Sequence, residues 1–289
     1  MNWKLFSLII LIMSLVGKFS HGQVARSEPV TFMSYNIRYL NNSDGLDVWS
    51  NRKATVIEEI DRRDIVGVQE CVGQQLDDIR SGTNNHQWYG VGRDDGQLKG
   101  EMTAIGWRKE KFEPLDRGTF WLSESPSIVG SRGWDAALPR IASWMRFRLK
   151  DGDHEFLFVN IHFDHRGVEA RANSGKLLRT WISENHQEIP VVLVGDFNAG
   201  LEDRPLKNLL DESTESTRLL MDARSKSQVP DTGPQSTWNG FSEVVGERRI
   251  DHILYAGDLE VLDFKTLDPR TPAGRFASDH LPIEARIRF

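Results

Sequence analysis

Six short stretches of this 289-residue chain gather residue types that hold hard cations, move protons and bind phosphate. They are Ser34-Tyr35-Asn36, Gln69-Glu70, Asn160 to His165, Gly195 to Asn198, Arg249 to His252, and Ser278-Asp279-His280. Several are polar endings on apolar stems, which folding alone does not require, and groups at the ends of adjacent strands can converge in one cleft. A set of Glu, Asp, Asn and His suits a Mg²⁺-type cation and proton transfer. Glu70 is best placed for the cation, because a carboxylate at a strand end offers hard oxygen to an ion that keeps several waters and still reaches phosphate. Asp196 and Asn198 are one residue apart and, on an extended segment, project to the same side. One can then activate water while the other fixes a phosphoryl oxygen.

The elements that must carry these groups follow from periodicity. β-Branched and aromatic residues over residues 30–39 predict a strand, closed by the polar cluster Asn41 to Gly45. A helix is expected from Ser50, with Ala54, Ile57 and Ile60 on one face and Glu58, Glu59, Arg62 and Arg63 in water. It leads to an apolar strand over residues 65–69, short like one buried on both faces, with Glu70 at its end. Further strands are expected at 88–92, 103–108, 118–122, 143–149, 155–163, 191–194, 249–255, 259–266 and 281–289, and a second helix at 168–184. Residues 124–139 and 213–236 read as long surface loops of the kind that carry specificity. No linker divides the chain, so one mixed α/β domain over residues 23–289 is expected.

The blocks SYNIR, QE, GDFN, RIDHI and SDHLP, in this order, resemble the endonuclease/exonuclease/phosphatase superfamily of DNase I-like phosphoesterases. HFDH before a helix, and GWD before PRIASW, are most similar to a bacterial secreted branch. The abasic-site repair enzymes are less similar, since a tyrosine is expected there where this chain has His162. The resemblance implies a four-layered α/β sandwich, two packed sheets with helices outside, and hydrolysis of a phosphate ester with Mg²⁺ or Mn²⁺. It places Asn36 beside Glu70, in the metal set or orienting the phosphate, and makes Asp279 a second metal ligand or an orienting group. It pairs His280 with Asp251, which favours the imidazolium against developing negative charge. His162 resembles the general-acid position that protonates the leaving oxygen or binds phosphate, and Glu101 the acid that orients it. One ion or two is left open, because Glu70 with Asp279 and Asp196 with Asn198 are each able to hold one.

Arg140 in PRIASW and Trp238 in STWNGF are candidates for substrate contact, through phosphate oxygens and ring stacking, against the alternatives of a surface ion pair and core packing. Trp134 is read in the same way as Trp238. Capping of the following helix accounts equally well for Asp164 and His165. Arg62-Arg63 and Arg248-Arg249 read as solvated.

With 36 Lys+Arg against 42 Asp+Glu the formal charge is −6, which offers a phosphate backbone no general attraction. Phosphate chemistry here has to be local and metal-assisted. The one cysteine, Cys71, excludes a disulfide within the chain and reads as a buried small hydrophobe. Residues 1–22 read as a cleaved export signal, with Lys4, an apolar run from Leu5 to Val16, and small Ser20 and Gly22 before Gln23. That run is short of the roughly 20 residues that span a bilayer, which disfavours an uncleaved anchor.

The expectation is an exported, periplasmic or extracellular, monomeric phosphoesterase that hydrolyses a phosphodiester by direct attack of activated water, with nucleic acid among its candidate substrates. A phosphomonoesterase acting on inositol phosphates and a phospholipase-type phosphodiesterase are the alternatives. A non-catalytic binding protein is disfavoured, since none of Glu70, Asp196, Asn198 and His280 is missing.

Overall fold

The structure, a computed structural model, describes residues 27–152, 154–186, 188–210 and 220–289. The predicted signal, residues 1–22, and part of the predicted loop at 213–236 lie outside the described residues. Two parallel strand pairs organise the rest. β1 (Val30–Asn36) crosses through α1 (Trp49–Asp61) to β2 (Ile65–Cys71), and α2 (Gly73–Gly82), β3 (His86–Tyr89) and β4 (Met102–Arg108) follow. β5 (Phe112–Trp121) and β6 (Ile141–Leu149) lead to β7 (Glu155–His162), which crosses through α3 (Val168–Asn185) to a parallel β8 (Val191–Asp196). The chain ends with α4 (Arg204–Leu210), β9 (Met221–Asp222), β10 (Asp251–Ala256), β11 (Glu260–Thr266) and β12 (Ile283–Arg288).

The strands form two six-stranded sheets, in the orders β11-β12-β1-β2-β4-β3 and β5-β6-β7-β8-β10-β9. Phe32, Phe147, Phe156 and Phe158 fill the space between them. On the outer faces α1 and α2 bury Val56, Ile60, Leu76 and Ile79 against the first sheet, while α3 and α4 bury Leu178, Ile182, Leu206 and Leu209 against the second. This is the expected four-layered α/β sandwich. Burying the central strands on both faces explains why β2 and β8 read as unbroken apolar runs.

Several local expectations change. α1 buries Trp49, Arg52, Val56 and Ile60, with Ile57 half-buried against the same core and Ala54 exposed, so a charged residue occupies the inner face. Arg63 is buried between Glu284 and Glu59, and Arg249 is buried on Asp222. α2 is not evident from its two inward apolar residues, Leu76 and Ile79; its buried Gln75 supplies the other anchor, accepting from the Leu40 and Val72 amides and donating to the Arg38 carbonyl. β1 stops at Asn36, short of residue 39, because Arg38 turns to φ +56°.

One side chain ties the two sheets together. Asn160 of β7 donates to the carbonyls of Val68 (3.0 Å) and Ala104 (2.9 Å) in the opposite sheet and accepts from Gln69 Nε2 (2.6 Å). Gly67 makes room for it: a Cβ there would stand 2.7 Å from Asn160 Cγ and 2.6 Å from Val194 Cγ2. Asn160→Ala would remove three buried hydrogen bonds between the sheets and should destabilise the fold by about 2–4 kcal/mol, read as a lower urea midpoint. A midpoint equal to wild type would show that the sheets register without this contact.

Candidate active site

Parallel pairing sets the C-terminal ends of neighbouring strands side by side, the usual place for a ligand in open α/β sheets. Asn36 at the end of β1 pairs with Gln69, which precedes Glu70, and His162 at the end of β7 pairs with Asp196 at the end of β8. Asp251, the first residue of β10, also pairs with Asp196. Asp279 and His280 arrive just before β12, and Glu101 just before β4. A cleft of about 400 Å³ is lined by Glu70, Asp279, Asp196, Asn198, His162 and His280, with Glu101, Arg140 and Trp238 also on its wall. Asn36 and Asp251 are buried and bonded to these lining residues.

Two of these side chains are aimed by backbone that only a few residue types adopt readily. Glu70 has φ +59°, where the register between β2 and β4 breaks between Val68 and Cys71. An irregularity of this kind re-aims a side chain out of the sheet. Asn198 has φ +47°, so the segment after Asp196 is a turn and not extended as expected; the Asn198 amide donates back to Asp196 Oδ1 at 2.8 Å. Such conformations cost about 1–3 kcal/mol each and persist where the surroundings over-determine them.

The polar contacts centre on Asp196. Its Oδ2 accepts from Asn36 Nδ2 at 3.0 Å and stands 3.4 Å from His162 Nε2 and 3.7 Å from His280 Nε2. Asn36 Nδ2 also donates to Glu70 Oε1 at 3.1 Å, so the amide faces both acids with its donor nitrogen. His280 Nδ1 donates to Asp251 Oδ2 at 2.9 Å. Burial opposes charge on His280, but the carboxylates of Asp251, Asp196 and Asp279 outweigh it and hold its pKa well above the ordinary histidine value. His162 is the reverse: burial, with Arg140 and Arg93 nearby, pulls its pKa far down, which favours the neutral ring. Burial and the Asp251 charge push Asp196 up to about 7, against the pull of His280 and the Asn198 and Asn36 donors.

These acids fit a divalent cation. Asp196 and Asp251 each offer a carboxylate oxygen within 4.8 Å of the other. Asp251 Oδ1 is buried without a hydrogen-bond partner among the described residues. Burial and the Glu70 carboxylate raise Asp279 despite the nearby His280 and Arg38. Hard oxygens whose ionised forms are disfavoured for want of positive charge are the donor set that Mg²⁺ or Mn²⁺ takes.

The wall residues are placed as follows. Glu101 is gripped by Arg93 through two 2.8 Å bonds and stands 3.9 Å from His162 Nδ1, too far for a direct hydrogen bond. Arg140 is no surface ion pair: it is 5% exposed, bonded to Asp164 at 3.3 Å and His165 at 3.0 Å. Asp164 accepts from the Arg166 and Gly167 amides ahead of α3, and the amides of the first turn are capped instead by Asp135, which accepts from Ala170 at 2.7 Å and Glu169 at 3.3 Å. Trp238 is 37% exposed, with the Arg248 guanidinium 4.7 Å from its ring, and its backbone bridges to His280. Trp134 takes a left-handed turn, its amide held by Glu124. Cys71 is buried, and burial pushes its thiol pKa up. Arg93 was not among the residues the sequence singled out, and Asp135 and His252 were marked only as members of the GWD and RIDHI blocks, with no part of their own.

A two-sheet sandwich with paired acids, amides and histidines at its strand ends defines a hydrolase acting on phosphate ester bonds. Residues 33–280 match the sequence model of the Endonuclease/Exonuclease/phosphatase family, and the chain belongs to that family. A family protein from Bacteroides thetaiotaomicron is 35% identical, with a TM-score of 0.84 over 91% of this chain and 95% of that one. The mannosyl-6-phosphatase of the same organism is 36% identical, with a TM-score of 0.82 over 90% of this chain and 100% of that one. TDP2 of D. rerio, complexed with a single-strand DNA product, shares the fold at 15% identity, with a TM-score of 0.69 over 90% of this chain and 99% of that one. No curated protein matches the sequence.

His252 holds the turn after Asn198 by donating from Nε2 to the Ala199 carbonyl at 2.9 Å. Burial, with Arg249 adding to it, pushes its pKa down from 6.5 to about 3. The folded ring therefore stays neutral where the unfolded ring charges. The stability this contributes is complete above pH 6.5 and is lost as pH falls toward 3, at up to about 1.4 kcal/mol per unit. His252→Gln keeps a donor and removes the titration, so its urea midpoint should fall less than that of wild type on acidification from about pH 6.5 to about pH 4.5. Asp196, whose raised pKa acts with the opposite sign, cancels in this comparison. Parallel pH profiles would refute the assignment.

Proposed function

We propose that the protein is a divalent-cation-dependent phosphomonoesterase acting on a small phosphorylated sugar or polyol, exported to the periplasm or beyond by its apolar leader. The observation that carries this reading is the composition of the cleft, where cation-binding acids share about 400 Å³ with Arg38, Arg140, His165 and His280. A phosphomonoester brings up to two charges and three terminal oxygens, and needs donors beyond a cation. Arg140 supplies them from a buried position, and its Nη1 has no hydrogen-bond partner among the described residues. The 36% identity to a mannosyl-6-phosphatase over nearly the whole domain supports the same substrate class.

Glu70 and Asp279 would hold Mg²⁺ or Mn²⁺, which would supply Lewis-acid neutralisation of the phosphoryl oxygens. The chain's own groups do the rest. Asp196, poised near pH 7, accepts a proton from the attacking water. The His280 imidazolium, fixed by Asp251, donates to a phosphoryl oxygen as charge develops there. As water's oxygen bonds to phosphorus the ester P–O bond breaks, and the departing oxygen, hydrogen-bonded by neutral His162, takes its proton from water in the cleft, while Asn36 keeps Glu70 and Asp196 aligned. Trp238 provides a face for the ring of the substrate.

A phosphodiester substrate is the second reading. Purified protein with Mg²⁺ or Mn²⁺ should release phosphate from mannose 6-phosphate faster than it cleaves bis(4-nitrophenyl) phosphate or DNA, and chelator should abolish turnover. His280→Ala should lower kcat/KM about 10²- to 10⁴-fold. Arg140→Ala should cost the monoester about tenfold or more and the diester less. Faster cleavage of the diesters, or activity indifferent to chelator, would overturn the proposal.

A further inference from the structure

Arg52 is the largest fully buried side chain, 1% exposed on the inner face of α1. Its guanidinium makes no ion pair among the described residues and donates instead to four main-chain carbonyls: Asp47 at 2.6 Å, Ala277 at 2.7 Å, Ile37 at 2.9 Å and Arg38 at 3.3 Å. One nitrogen, Nη1, serves both Ile37 and Ala277. The rings of Trp49 and Phe241 lie 5.5 Å and 5.2 Å from the guanidinium carbon.

These acceptors lie on the segments that bear the site. Ile37 and Arg38 follow Asn36, and Ala277 comes two residues before Asp279 and three before His280. The same two segments meet through Ser278 Oγ, which donates to the Asn36 carbonyl at 2.7 Å. Phe241 ends the turn after Trp238, where the Asn239 and Gly240 amides donate to the Asp279 carbonyl at 2.9 and 3.1 Å. Packing of α1 alone does not call for a cation: burying one costs several kcal/mol, and an apolar residue of similar volume would serve as well or better. What an apolar residue lacks is a planar fork with five donors, which fixes several carbonyls at set angles.

We propose that Arg52 is a positioning residue for hydrolysis, setting the spacing between the turns that carry Asn36, Asp279 and His280 without touching substrate. The proposal rests on phosphoester hydrolysis at this cleft and not on the choice of sugar phosphate. Arg52→Lys keeps the charge and loses the fork; Arg52→Met keeps the packing and loses both.

The assay uses 4-nitrophenyl phosphate and bis(4-nitrophenyl) phosphate with Mg²⁺, alongside amide hydrogen exchange. Both variants should lose about tenfold to a hundredfold in kcat with KM changed less than about threefold, because catalytic groups move relative to one another while the binding wall at Arg140 stays. Exchange should rise at residues 37–40 and 277–281 and stay at wild-type levels in β6 and β7. If Arg52→Met does not fold, Arg52→Lys decides alone. Wild-type kcat in Arg52→Lys, or faster exchange spread evenly over the protein, would overturn the proposal. A wild type inert toward both esters would refute the functional reading, while the exchange pattern would still decide whether Arg52 clamps the two turns.

Discussion

The site exists because two sheets are held in one register. Asn36, Glu70, Asp279 and His280 belong to the first sheet or its edges, while His162, Asp196, Asn198 and Asp251 belong to the second. The contacts that define the chemistry, Asn36 to Asp196 and His280 to Asp251, cross between them. Apolar packing of phenylalanines presses the sheets together without direction, and would tolerate sliding by an ångström. Asn160 does not, because three hydrogen bonds to Val68, Ala104 and Gln69 are satisfied in a single alignment, and a slip would leave buried polar groups unpaired. Gly67 permits that approach by having no side chain.

Above this register the electrostatics divide the labour. Two histidines flank Asp196 within 4 Å and are driven to opposite protonation states. His280 has Asp251 behind it and stays charged, while His162 looks toward Arg140 and Arg93 and stays neutral. The resemblance casts His162 as the group that protonates the leaving oxygen or donates to the phosphate, and Glu101, the acid expected to orient it, is taken up by Arg93. Buried carboxylate is in excess around Asp196 and Asp279 and raises both, an imbalance that a bound cation would offset.

Much of this was legible in the order of residues. Strand-ending clusters such as Gly195 to Asn198 and Ser278 to His280 are polar where a strand has no need of polarity, and their order along the chain carried the family and the layered fold. Periodicity located the parallel pairs and their helices to within a few residues. It failed on α1 at Ala54, which is exposed, and it placed no weight on Arg52, since an arginine on a helix is ordinarily solvated. It failed likewise on Arg63 and Arg249, whose partners Glu284 and Asp222 lie far along the chain or beyond a loop.

The sequence by itself determined which chemical groups the protein owns and the strands that end in them, because apolar stems, glycines and polar tips are local properties. Only the tertiary structure decided what those groups are. The left-handed turns at Glu70 and Asn198, the neutral His162, the raised Asp196 and the buried fork of Arg52 each depend on neighbours brought together from distant parts of the chain. Charge state and aim are set by desolvation and by contacts across the two sheets, and neither exists until the sheets have packed.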